Sequence, residues 1–149
     1  MPIEEVADSD VAPMSDAGIR AFLAEQGVGV LGLAAEGAPY LVPISFGFDG
    51  EETLYFVFLL FGAESRKETL TERAERARFL VYDAESIHEW RSVSLVGDVE
   101  PVPEGEWGTL QGAMENAWHP DLFSAASPMR GVEGYRLRIE ASTGIRRSG

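Results

Sequence analysis

The spacing of apolar positions changes character near residue 28. Before it, Ile19, Phe22 and Leu23 recur at helical intervals behind Ser15 and Asp16, with Gly27 placed to end the turn. This spacing predicts a short amphipathic helix over 16–26. After it come short β-branched or aromatic runs divided by turn residues. VGVLGLA (28–34), PYLVPISFGF (39–48) and TLYFVFLLF (53–61) read as three strands joined by the AEGAP and DG turns, an antiparallel meander. The third is apolar throughout, as a strand covered on both faces should be. SRKETLTERAERA (65–77) returns to helical spacing, and RFLVYD (78–83) to a strand. WRSVSLVGDVEPV (90–102) is a long fifth strand in which Gly97 predicts a bulge. A helix follows Pro103, with Trp107, Leu110 and Met114 on one side. YRLRIEA (135–141) alternates as a sixth strand.

Six strands with few helices and no βαβ alternation predict a mainly β fold, a small antiparallel barrel with peripheral helices; an open α+β sandwich is the alternative. At 149 residues the chain has the length of one domain, expected over 15–149, with residues 1–14 as a flexible acidic arm.

Charge narrows the partners. Twenty-five acids face twelve bases, a formal net charge of −13. Such a surface repels phosphate backbones and anionic bilayers, which argues against nucleic-acid and membrane partners. Eleven of the bases are arginine, and Lys67 is the single lysine. Acid excess with scarce lysine is read as salt adaptation, an ordinary acidic protein from an arginine-preferring genome being the alternative. There is no cysteine, so disulfides, thiolate nucleophiles and cysteine metal sites are excluded. The acidic start carries no basic-then-apolar leader, and a cytoplasmic location is expected.

Three places hold candidate chemistry. Ser65, Arg66 and Lys67 stand at the start of a predicted helix, where free N–H groups favour an anion and cations are unfavourable without one. A phosphate site and simple pairing with Glu64 and Glu68 both fit. Pro43, Ile44 and Ser45 interrupt a strand with a residue that cannot donate, leaving either a ligand-facing backbone or a plain edge. Trp90, Arg91 and Ser92 open the fifth strand, to sandwich an aromatic ligand or to plug a barrel end with Arg91 paired to Glu85 or Glu89. His88 and His119 have no metal-ligand spacing, and no metal site is expected.

Taken in order, GVGVLGLAAEGAPYLVPISFGFDGEETLYFVF, ESRK, RFLVYD and EWRSVSLVGDVEPV resemble the pyridoxamine 5′-phosphate oxidase-like, FMN-binding split-barrel superfamily. The likeness covers roughly residues 16–102 and is nearest to short oxidase-related members and the nitroimidazole-resistance group. It implies a six-stranded antiparallel split β-barrel, a homodimer with FMN at the interface, and a flavin-dependent oxidoreductase acting on a small molecule. Pro43, Ile44 and Ser45 would run beside the flavin ring, Phe58 and Leu59 would line it, and Arg66 and Lys67, with Ser65, would hold the phosphate. Arg91 and Ser92, with Trp90 beside them, would reach the cofactor, often across the dimer; true oxidases carry glutamine where Ser92 stands. No residue is assigned as acid or base. Other members of such a fold take FAD, a deazaflavin coenzyme or haem, the last needing His88 or His119 as axial ligand. A non-catalytic binding or sensor module is the alternative. The closing TGIRRSG lacks the Arg-x-His of the true oxidases, which argues against their substrate.

Overall fold

Alternation along a strand sends every second side chain to the same face, and one long sheet here uses both of its faces. The computed structural model describes residues 10–34, 37–59, 76–114 and 132–148. Its elements in chain order are β1 (Val11–Pro13), α1 (Asp16–Glu25), β2 (Val28–Leu33), β3 (Tyr40–Ser45), β4 (Gly47–Phe48), β5 (Thr53–Leu59), β6 (Arg76–Ser86), β7 (Glu89–Pro101), a single 3₁₀ turn (Glu104–Glu106), α2 (Trp107–Ala113) and β8 (Val132–Arg147). The strands pair antiparallel in the order β3-β2-β6-β7-β8-β5-β4, and β1 adds to β8. The six longer strands are the staves of the expected split barrel.

The strand expected over 39–48 is two strands. Tyr40–Ser45 pairs with β2, Phe46 breaks the run, and Gly47–Phe48 pairs with β5. β3 and β4 therefore stand at opposite ends of the strand order although one residue separates them in the chain. A flat sheet cannot meet that condition, so the sheet curls until its edges converge at Phe46. This replaces the expected meander: the chain closes the barrel at the point where a third hairpin strand would have been added. Phe46 is fully buried, donates its N–H to the Gly27 carbonyl at 3.1 Å, and meets Phe79 edge-on with centroids 5.3 Å apart. The following turn is held by Asp49, whose Oδ1 accepts from the backbone N–H of Glu51, Glu52 and Thr53 at 2.8–3.1 Å, and Gly50 takes a φ of 90°.

Inside the curl, Leu31, Leu54, Phe56, Phe79, Leu95, Tyr135 and Leu137 form the main core. α1 closes it with Ile19, Phe22 and Leu23, its start capped by Ser15 Oγ accepting from the Gly18 N–H at 3.0 Å. On the opposite face of β5, Tyr55 and Val57 pack with Val102, Trp107, Leu110 and Met114, a second apolar cluster beneath α2. The lack of alternation over Leu54–Val57 follows: one face serves the core and the other serves α2.

β8 extends well beyond the expected 135–141. It pairs with β7 along almost its whole length, with β5 on its first half and with β1 on its last three residues. Val11–Pro13, placed by sequence in the loose arm, is ordered by that ladder; residues 1–9 lie outside the described part. The expected bulge falls at Val96/Gly97, where the register with β8 shifts. A Cβ at Gly97 would collide with the Arg138 carbonyl oxygen. Of the helix expected over 65–77, residues 65–75 lie outside the described part, and Arg76 and Ala77 already belong to β6.

Outside the lower barrel, Arg136 donates to Glu100 at 2.6 Å and Glu106 at 2.9 Å, and Arg138 donates to Glu100 at 2.7 Å. Hydrogen bonds from Arg138 and then Arg136 hold the Glu100 carboxyl below its ordinary pKa. Burial opposes the charge on Arg136, but its bonds to Glu106 and Glu100 leave its pKa raised.

Two outcomes follow. Gly97→Ala should destabilise by about 2–3 kcal/mol in urea unfolding, because backbone on the neighbouring strand must move. Glu100 has a depressed folded pKa, so its contribution is present above the unfolded value near 4.5 and is lost as pH falls through the folded value. The stability gap between wild type and Glu100→Gln should therefore shrink between neutral pH and about pH 3.

Candidate functional site

The face of the sheet turned away from the main core is covered by α2 only over β5 and its neighbours. Across β3, β2, β6, β7 and the last part of β8, no described element lies on it. The register sets out three rows on this open face. One runs Leu41, Gly32, Arg78, Val96, Ala141, and the next Pro43, Val30, Leu80, Ser94, Thr143. The third holds Ser45 opposite Val28, and Tyr82, Ser92 and Ile145 opposite one another. None of these positions is acidic in a chain of twenty-five acids. Leu41 is 66% exposed, Tyr82 60% and Ile145 47%. Arg78 is the one cation, and it donates to Ser94 Oγ at 3.0 Å.

The strand period divides the trios at 43–45 and 90–92 between faces. Pro43 and Ser45 lie on the open face, whereas the Ile44 side chain is part of the main core. Among the described strands β3 pairs with β2 alone, so alternate backbone groups of β3 point away from that ladder, and Pro43 contributes no N–H there. Ser92 shares the open face and is half-buried. Phe58 and Leu59 pair in backbone register with Glu133 and Val132 of β8; their side chains lie outside the described part. Ser65, Arg66 and Lys67 also lie outside it.

Arg91 has the parity of the core residues and stands at one end of the barrel. Its guanidinium donates to Asp83 Oδ2 at 3.0 Å and Glu25 Oε2 at 3.3 Å, and lies 4.6 Å from the centroid of the Phe22 ring. The hydrogen bond to Asp83 is the largest cause of its raised pKa, with burial opposing and Glu25 adding to it. The sequence placed Arg91 beside Glu85 or Glu89; folding gives it Asp83 and, from α1, Glu25 instead. Trp90 is directed to the other face, opposite Ala84 and Arg147. His88 sits in the β6–β7 turn, its N–H donating to Ser86 Oγ at 3.1 Å, and no group of side chains able to hold a metal occurs among the described residues.

Sequence reasoning missed the open face itself. Leu80 and Tyr82 sit in RFLVYD, a run with apolar residues at both parities. As in TLYFVFLLF, that loss of alternation signalled a strand with two apolar faces, but only the second of those strands is covered by a described element. No described helix is long and apolar enough to cross a membrane.

Residues 15–146 match the family model for pyridoxamine 5′-phosphate oxidase. Among solved structures the chain is similar to a FAD-binding protein from Mesorhizobium loti, at 22% identity over 93% of this chain and 98% of that one, with a TM-score of 0.74. It is also similar to a candidate 5-nitroimidazole antibiotic resistance protein from Bacteroides thetaiotaomicron, at 21% identity over 91% of this chain and 87% of that one, TM-score 0.70. A FAD and haem binding protein from Mycobacterium smegmatis aligns at 17% identity over 95% of this chain and 75% of that one, TM-score 0.72. None of the curated proteins matches the chain. The family match spans nearly the whole sequence, and the chain belongs to the pyridoxamine 5′-phosphate oxidase family.

Proposed function

We propose that this member of the pyridoxamine 5′-phosphate oxidase family is a flavin-binding oxidoreductase, a cytoplasmic homodimer with FMN held where two copies meet. The observation that carries this reading is the open face of β3, β2, β6 and β7. Its three rows carry no carboxylate, are largely apolar, and are edged by a strand whose outer backbone no described strand pairs. The residues present fit a flat heteroaromatic group carrying a phosphate. Pro43, Ile44 and Ser45 would offer backbone groups to the ring edge, and Phe58 and Leu59 an apolar wall. Ser65, Arg66 and Lys67 would hold the phosphate by charge-assisted hydrogen bonds. When bound, the flavin supplies the electron- or hydride-transfer chemistry, and the chain orients it and keeps water away.

Two arguments support a second copy. Exposed Leu41, Leu80, Tyr82 and Ile145 on one unpartnered sheet face form the kind of patch that protein interfaces bury. In addition, β3 and β7 are three strands apart, about 14 Å at the usual interstrand spacing. One ring beside Pro43 and Ser45 meets a Ser92 most readily when that Ser92 belongs to the other copy. The FAD-binding neighbours make FAD the competing flavin.

Purified protein should be yellow, and mass spectrometry of the released cofactor should return FMN; a colourless protein that leaves added FMN fluorescence unquenched would overturn the assignment. Lys67→Ala should weaken FMN binding by roughly 1.5–3 kcal/mol in fluorescence titration. Tyr82→Glu should shift the dimer to monomer in sedimentation, with flavin lost in parallel, since it places a charge in an apolar contact.

A further inference from the structure

At one end of the barrel, just beyond the row of Tyr82, Ser92 and Ile145, lies a cleft of about 320 Å³ whose lining includes Trp90, Glu85, Glu89, Arg91, Arg146 and Arg147. The β7–β8 ladder sets Arg91 directly opposite Arg146, and like charges facing each other across two strands are destabilising unless anions compensate. Arg91 has its anions in Asp83 and Glu25. Arg146 has none: it donates to Ser148 Oγ at 2.9 Å and forms no ion pair among the described residues. Glu85 and Glu89, in the same lining, are likewise without a cationic partner among the described residues. The cleft thus brings together Arg146, Glu85 and Glu89, none of them in an ion pair among the described residues, with Trp90 in the same lining.

We propose that this cleft binds a small zwitterion, a molecule carrying one ammonium and one carboxylate as amino acids do. Arg146 takes the carboxylate through its guanidinium fork, which suits a planar oxyanion. Glu85 and Glu89 take the ammonium, and the Trp90 ring offers it a π-face. A singly charged ligand would satisfy one set of groups and leave the other as it was. The volume falls at the lower end of the range for small-molecule sites. This site does not depend on the flavin reading, and its test uses neither flavin nor turnover.

Purified full-length protein is titrated by calorimetry and tryptophan emission with glycine, β-alanine and γ-aminobutyrate, and with butyrate and butylamine as singly charged probes. The best of the zwitterions should bind at least roughly tenfold tighter than either single charge, the scale of one charge-assisted hydrogen bond. Arg146→Gln should cost about tenfold for that zwitterion and leave butylamine unchanged, with Arg146→Lys recovering most of the loss. The double change Glu85→Gln and Glu89→Gln should do the converse, sparing butyrate. Arg20→Gln, an exposed arginine outside this cleft, should change nothing. The emission response should vanish in Trp90→Phe. Zwitterion binding no tighter than butyrate or butylamine, affinity indifferent to the Arg146 and glutamate changes, or a response that survives in Trp90→Phe would each overturn the site.

Discussion

The structure depends on one connection. Phe46 alone joins β3 to β4, and those strands end opposite sides of the same sheet. Closing that gap forces the curl, and the curl creates an inside for Phe46, Phe56, Phe79 and Tyr135 to fill. Aromatic rings suit this role, since they cover much apolar area and pack by edge and face. Phe46 meets Phe79 edge-on, while Phe56 stacks with Tyr135 at 6.3 Å between centroids. The covalent constraint and the core therefore enforce each other, and neither a flat sheet nor an empty barrel satisfies both.

β8 carries the consequence through the molecule. Its sixteen residues pair with β7 on one side and with β5 and then β1 on the other. One strand thus ties the closing edge, the long hairpin and the start of the chain into a single ladder. Gly97 makes the length workable by giving β7 a point at which to shift register without a side chain in the way. Close backbone approach also fixes α2: the Ala113 carbonyl rests on Gly47, and Leu110 and Trp107 lie over Gly134. The second apolar cluster is seated on glycines because only a bare backbone lets the helix come so near.

Charge is distributed with the same economy. Bases outside the three open-face rows neutralise acids at specific places: Arg136 and Arg138 at Glu100, Arg76 at Asp98 and Glu140, Arg91 at Asp83 and Glu25. These pairs are partly exposed, and each contributes modestly to stability. Their greater effect is on where charge is missing. A chain with a net charge of −13 keeps three rows of one sheet face clear of carboxylates, and in the row beyond them Asp98 is paired with Arg76.

By itself, the sequence determined the mainly β class, the helix behind Ser15, five of the six long strands to within a few residues and the sixth in part, the bulge at Gly97 and the order of motifs that marks the family. All of these are local: caps, turns and alternation act over a few residues and leave their trace in the string. Tertiary structure decided where β3 gives way to β4, how far β8 runs, and which face each side chain takes. The trios at 43–45 and 90–92 looked like units in the sequence, yet Ile44 and Arg91 turn to the core side while Pro43, Ser45 and Ser92 face outward. The partner of Arg91 was illegible for the same reason: Glu25 is distant in the chain and arrives only when α1 closes the barrel. Apolar residues at both parities give β5 and β6 two apolar faces each, which was read from the sequence for β5 only. Which of those faces is covered depends on where α2 lands, and that is settled by long-range packing against Gly47 and Gly134, beyond the reach of any local pattern.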